Sequence, residues 1–319
     1  DKINEVAHEL DAVTRKKLAQ GQITDESPFM SVTRKADLWE NFEIAKLWAK
    51  HFKDTVKSDG LSVKTSSHFS FFTSHSKRLR IGYLSNDFRH HPVAHLMLGM
   101  LSLHDRNSFE VYCYSYGKDD GTEYRRRAMT QSDYFRDIRE FSHKDAAQRI
   151  ADDEIDILID LMGYTTDSRL EICALRPAPI IATYLGYPGT TGMSFFDYAI
   201  VDKVVVPQNH ARFYSEKLLY MPDCYQANDN NQMFSDKIST RADFNIPQDA
   251  FVFCSFNQNY KIEPKMFGTW MRILHQVPGS VLWLLDRGQA AVNNLRKEAQ
   301  HRGIDPNRLI FSGKLDKAE

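Results

Sequence analysis

The sequence predicts an α/β protein built on a doubly wound, mostly parallel sheet, with a second α/β unit after it and a helical appendage before it. Three observations carry this reading. From Arg78 onward, apolar strand-like runs alternate with helical stretches. Residues 78–97 read as a buried strand, a polar turn and a Pro-started helix. After a polar stretch, the same strand-to-helix order begins again at Phe251.

Taken in order, residues 3–20 and 35–56 carry charged helical patterns, and 58–76 form a Ser/His/Phe-rich connector. Residues 1–76 therefore read as an appendage to the main fold. Leu79 opens a short apolar run containing Ile81 and Tyr83, and Ser85-Asn86-Asp87 after it favours a turn, so a strand ends near Leu84. Pro92 suits the first helical position, which puts His91 at or beside the N-cap. Val93, Leu96, Met97 and Met100 follow at helical spacing, and His91 then points into the crevice above the strand ends.

Strands at 109–116, 155–161, 180–185, 198–201 and 217–221 complete a domain over 77–222. Residues 223–249, centred on Asn228-Asp229-Asn230-Asn231, suit an exposed crossover. Strands at 251–256, 281–285 and 308–312 then alternate with helices at 264–275 and 290–302. A three-stranded parallel sheet with little to cover its second face makes a poor domain. Residues 250–319 are thus expected to be the start of a second domain, and the chain a fragment.

The 319 residues carry 41 Lys and Arg against 42 Asp and Glu, so no overall field draws the protein to nucleic acid or an anionic membrane. No apolar run approaches the roughly 20 residues that span a bilayer, and the charged start Asp-Lys-Ile-Asn-Glu is no secretory signal. A cytoplasmic protein is expected. Cys113, Cys173, Cys224 and Cys254 lie far apart, without Cys-x-x-Cys spacing, and read as four buried, reduced thiols.

Ligands of open α/β sheets sit beyond the carboxyl ends of the strands, so the loops there deserve inspection. In the first domain these are 85–91, 162–166 and the glycine-containing 186–192. In the second, the strand at 251–256 leads into Asn257-Gln258-Asn259-Tyr260-Lys261 and then a helix. A lysine at a helix N-terminus favours phosphate, and the Gln258 amide is suited to reading a nucleobase or ribose. Each feature has a plainer alternative. Lys261 alone is most often a solvated charge, Gln258 a loop residue, and His90 and His95 packing or surface residues. Asp160 is either catalytic or bonded to its own loop. His91 and His95 have metal-ligand spacing but no matching third ligand, and 186–192 lacks both the Walker and the Gly-x-Gly-x-x-Gly patterns. Taken together, two facing domains would offer a base on one side and a phosphate site on the other.

These residues also form an ordered string of motifs. It comprises Arg78-Leu79-Arg80-Ile81-Gly82-Tyr83-Leu84-Ser85-Asn86-Asp87-Phe88 with His91-Pro92 and His95-Leu96-Met97, then Asp119-Asp120-Gly121-Thr122 and Ala174-Leu175-Arg176-Pro177-Ala178-Pro179-Ile180. Leu185-Gly186-Tyr187-Pro188-Gly189-Thr190, Tyr214-Ser215-Glu216-Lys217-Leu218 and Phe256-Asn257-Gln258 with Tyr260-Lys261-Ile262 complete it. The string resembles the catalytic region of protein O-linked N-acetylglucosamine transferases, the Spindly-like glycosyltransferase family forty-one.

The resemblance implies a GT-B fold whose two Rossmann-like domains enclose UDP-N-acetylglucosamine and an acceptor Ser or Thr. It implies inverting transfer without a bound metal or other cofactor. His91 inherits the role of proton acceptor, with Asp160 as the other catalytic candidate, and Gln258 and Lys261 that of nucleotide contacts. Tyr260 and Thr190, within the shared motifs, are grouped with the sugar-donor site. Another UDP-sugar-dependent protein transferase, such as a glucosyltransferase, and a non-catalytic interaction module are the alternatives. The family's preceding tetratricopeptide repeats are represented at most by the helix at 3–20. The intermediate domain of the animal enzymes is absent between Tyr220 and Phe251, as in bacterial forms. The downstream His-Thr-Thr segment and its following Asp would lie beyond Glu319.

Overall fold

The computed structural model describes residues 2–58, 78–232 and 235–315, and the chain forms two compact units that divide between Asn231 and Gln232. The first opens with three helices, α1 (Lys2–Ala19), α2 (Pro28–Arg34) and α3 (Leu38–Ser58). The connector read at 58–76 lies, after Ser58, outside the described residues.

A seven-stranded sheet follows, made of β1 (Leu79–Ser85), β2 (Phe109–Ser115), β3 (Tyr134–Asp137), β4 (Ile157–Asp160), β5 (Ile180–Thr183), β6 (Tyr198–Val201) and β7 (Lys217–Tyr220). Every pairing is parallel, in the order β3-β2-β1-β4-β5-β6-β7. Helices α4 (Pro92–Ser102), α5 (Glu123–Gln131), α6 (His143–Asp152) and α7 (Leu170–Ala174) connect β1 through β5. The order reverses between β1 and β4, and ligands of doubly wound sheets bind at that switch point.

Alternation along β1 divides the core into two layers. Ile81 and Tyr83 pack with Val93, Met97, Leu98 and Leu101 of α4, while Leu84 faces Tyr114, Ile150 and Leu158 with α6 and α7. The second layer also takes in Phe29, Val32, Trp48 and Phe52 of α2 and α3. Within the amino-terminal helical region, α2 and α3 thus pack onto the first unit's core.

The second unit holds β8 (Val252–Ser255), α8 (Pro264–Gln276), β9 (Val281–Leu285), α9 (Gln289–His301) and β10 (Leu309–Ser312), again with parallel strands. Phe267, Met271 and Leu274, at helical spacing on α8, bury against Leu282 and Leu284. The other face of this sheet is not left bare: Phe244, Ile246 and Ala250 pack against Val281 and Trp283. Phe244 and Ile246 come from the stretch read as a crossover, whose earlier part folds onto the first unit. There the Asp229 carboxylate is buried and accepts a 2.6 Å hydrogen bond from Arg127 of α5.

The cysteines divide as well. Cys113 and Cys173 are buried, but Cys224 and Cys254 are exposed, which corrects the expectation for those two. Cys254 lies on β8, an edge strand, and Cys224 lies in the polar segment after β7.

Candidate active site

Strand β1 ends at the switch point, and the loop that leaves it is held by its own side chains. The Ser85 hydroxyl accepts from the Asp87 amide at 2.9 Å, and its Oγ lies 3.5 Å from Met162 Sδ in the loop after β4. Asp120, after β2, accepts from the His90 amide at 2.8 Å. A Cβ on Gly117 would collide with the Asn86 carbonyl, so the loops after β1 and β2 meet at a position only glycine fills.

His91 is the N-cap of α4, with extended backbone, and Pro92 takes the first helical position. Its Nδ1 lies 3.1 Å from Asp87 Oδ2 and 3.4 Å from the Val93 amide nitrogen. These contacts require opposite protonation of Nδ1, since an ionised carboxylate needs a proton there and the amide needs a lone pair. A proton on Nδ1 would answer the shorter contact and leave the lone pair on Nε2. The imidazole is 36% exposed, whereas Asp87 keeps only 5% of its side chain accessible.

Burial draws the His91 pKa below its ordinary value, against the upward pull of the Asp87 charge. Burial raises Asp87, opposed by His91 and then Arg89. The lowered His91 pKa favours the neutral imidazole at neutral pH. Asp87, four residues before the N-cap, was not singled out by sequence reasoning; an acid one turn ahead of a capping histidine is the signal that would have found it.

Asp160 ends β4 directly beside Leu84 of β1. It is buried, and Oδ2 accepts from the amides of Gly163 at 2.6 Å and Met162 at 3.2 Å. Burial pushes its pKa up to about 7, although both amides pull it down. Of the two readings of Asp160, the structure shows the bond to its own loop.

Thr190 is enclosed in a similar way. It is buried in the loop after β5, and its hydroxyl donates to Glu216 Oε2 at 2.7 Å while accepting from the amides of Gly192 and Ser215. Glu216 Oε1 also accepts from the Thr191 amide at 2.7 Å and from the Thr191 hydroxyl. The Thr190 hydroxyl thus braces the loop. Beyond the ends of β5 and β6, Tyr184, Tyr187, Tyr214 and Tyr225 line a cavity of about 270 Å³ with Pro188 and Val205.

The second unit brings the other candidates together. Gln258 precedes a short 3-10 turn, Asn259–Lys261, closed by the Lys261 amide donating to the Gln258 carbonyl at 2.9 Å. Lys261 lies two residues ahead of Glu263, the N-cap of α8, which makes no side-chain cap bond. The Lys261 ammonium sits 6.0 Å from the centre of the exposed Tyr260 ring. Among the described residues, no group of three or more His, Cys, Asp or Glu is placed to hold a metal ion. None of the described helices is long and apolar enough to cross a membrane.

Two Rossmann-like units of this kind define the GT-B class of glycosyltransferases. The chain matches the model for glycosyl transferase family 41 over residues 41–237 and 235–319, and it belongs to that family. It is 37% identical to the Arabidopsis thaliana protein named "Probable UDP-N-acetylglucosamine–peptide N-acetylglucosaminyltransferase SEC", over 98% of this chain and 32% of the relative. It is 31% identical to the Caenorhabditis elegans UDP-N-acetylglucosamine–peptide N-acetylglucosaminyltransferase, over 78% of this chain and 31% of that protein. The chain spans about a third of the length of these relatives. Among solved structures, a Thermobaculum terrenum O-GlcNAc transferase mutant superposes with a TM-score of 0.75 at 26% identity, covering 90% of this chain and 54% of its own.

Proposed function

We propose that the protein transfers N-acetylglucosamine from UDP-N-acetylglucosamine to Ser or Thr hydroxyls of polypeptides, with inversion, and that His91 is the general base. The observation that carries the base assignment is the Asp87–His91 pair at the switch point of a family 41 sheet. The substrate class rests on the relatives, which are named for this reaction.

In the reaction an acceptor hydroxyl oxygen bonds to the anomeric carbon as the bond to the UDP β-phosphate breaks. The hydroxyl proton passes to His91 Nε2, and the electron pair leaves with UDP. A neutral imidazole with its proton held on Nδ1 suits the first task. Asp87 stabilises the imidazolium that forms. Lys261 and the uncapped amides opening α8 are the groups we assign to the charge growing on the leaving phosphate, with Gln258 and Tyr260 as nucleotide contacts. A lysine in that role supplies the positive charge a divalent ion gives other transferases, so the reaction proposed needs no metal. Four unpaired cysteines, two of them exposed, fit a reducing, cytoplasmic setting.

The test is transfer by the full protein to a Ser/Thr peptide pool, comparing UDP-N-acetylglucosamine with UDP-glucose, with and without EDTA. Labelling from the N-acetyl sugar that EDTA leaves unchanged is expected. A preference for glucose would reassign the sugar donor, and no labelling from either sugar would contradict the enzyme reading.

A further inference from the structure

Helices α2 and α3 do more than fill the second core layer. Gly192, with φ +70°, ends the 186–192 loop directly against α3, where a Cβ would lie 2.5 Å from the Ala45 carbonyl carbon and 2.7 Å from the Lys46 nitrogen. The Tyr164 hydroxyl, from the loop after β4, donates to the Thr191 carbonyl at 2.8 Å and lies 3.4 Å from that of Ala45. Trp48 and Phe52 of α3 meet the Tyr164 ring edge-on at 6.3 Å each, Tyr164 meets Tyr187 at 5.5 Å, and Phe29 of α2 meets Tyr187 at 6.4 Å. One layer of rings thus joins the loops after β4 and β5 to α2 and α3.

Those helices are in turn tied to one another by ion pairs. Arg34 binds the fully buried Glu26 through two hydrogen bonds of 2.6 and 2.8 Å, and it reaches Asp11 of α1 at 2.7 Å. Lys35 bridges Asp11 and the buried Glu40 of α3. Paired buried charges of this kind resist separation, because breaking one leaves its partner desolvated and alone.

We propose that α3 is a positioning element of the transfer site, setting the 186–192 loop through backbone contact at Gly192 and through the Tyr164 hydroxyl. Whatever displaces the α1–α3 block then displaces the loop as well. The proposal rests on the functional reading above and adds to it that the 186–192 loop, which lies beyond the end of β5, belongs to the transfer site.

The full protein allows a matched comparison. Gly192→Ala and Gly21→Ala both force alanine into positive φ, but a Cβ at Gly21, with φ +65°, would meet nothing within 4 Å. The two share the backbone strain and differ in the α3 contact. Tyr164→Phe removes one hydroxyl and keeps the rings. Hydrogen exchange should quicken about tenfold at 186–193 in Gly192→Ala and Tyr164→Phe, with β1 and β2 unchanged, and stay as in the parent in Gly21→Ala. Transfer kcat/KM should fall up to about a hundredfold in Gly192→Ala and less than about twofold in Gly21→Ala, the scale on which a misplacement of about an ångström acts. Equal exchange and equal kcat/KM in the two alanine variants would overturn the proposal. If Gly192→Ala fails to fold, Tyr164→Phe decides it by the exchange rate at 186–193. A parent protein that transfers no sugar would remove the functional reading and leave the exchange comparison intact.

Discussion

His91 is placed by Pro92, which starts α4 beneath it, and by Asp87, which takes its Nδ1. Its lowered pKa gives a pH dependence of definite sign. The base form is the neutral one, so kcat/KM should rise as pH climbs through a value below 6.5 and be level by neutral pH. Asp87→Asn removes the charge that raises the His91 pKa, so that limb should move to lower pH while the plateau falls. A limb that stays put would show that Asp87 does not orient the base. Asp160 shifts the other way: its folded-state pKa is raised to about 7 from 3.8, so its contribution to stability is present below 3.8 and lost as pH rises through about 7. Asp160→Asn should therefore flatten the fall in thermal midpoint between about pH 4 and 7, read by calorimetry. The histidine was legible because proline marks the helix start and so fixes its neighbour. The fates of Asp160 and Thr190 were not, because both depend on where a glycine loop folds back, which residue spacing does not record.

Among the elements, strands β1, β2, β4 and β5 were legible as apolar runs, as were α8 and α9 from their periodic stripes. Strand β3 was not, since Tyr134-Phe135-Arg136-Asp137 is a short, half-polar edge. Nor was α2, whose seven residues carry too little periodicity to separate from a loop. The loop after β5 owes its shape to Glu216, which accepts two hydroxyls and one amide from it. Glu216→Ala leaves those buried donors unpaired and should cost about 1–3 kcal/mol of stability, with faster exchange at 186–192. A midpoint in denaturant equal to the parent's would show that water replaces the carboxylate without loss.

At the scale of the molecule, the break between the units was legible as a change to polar residues, but not its consequence. Asp229, inside that polar run, reads as solvated and is instead buried against Gly99 and Arg127. The same limit hid the union of α2 and α3 with the first core, since charged helices reveal an apolar face only once something covers it. The second unit is assigned the nucleotide, so Lys261→Ala should weaken UDP binding by calorimetry about tenfold or more while leaving the thermal midpoint unchanged, the mark of a charge-assisted contact in place of a packing one. Unaltered UDP affinity would remove Lys261 from the site. The most direct test of the whole account is the turnover of the full protein with UDP-N-acetylglucosamine and a Ser/Thr peptide, parent against His91→Ala. A loss of about 10²-fold or more, with fold and UDP affinity kept, is the result expected of a general base, and turnover within about threefold of the parent would contradict it.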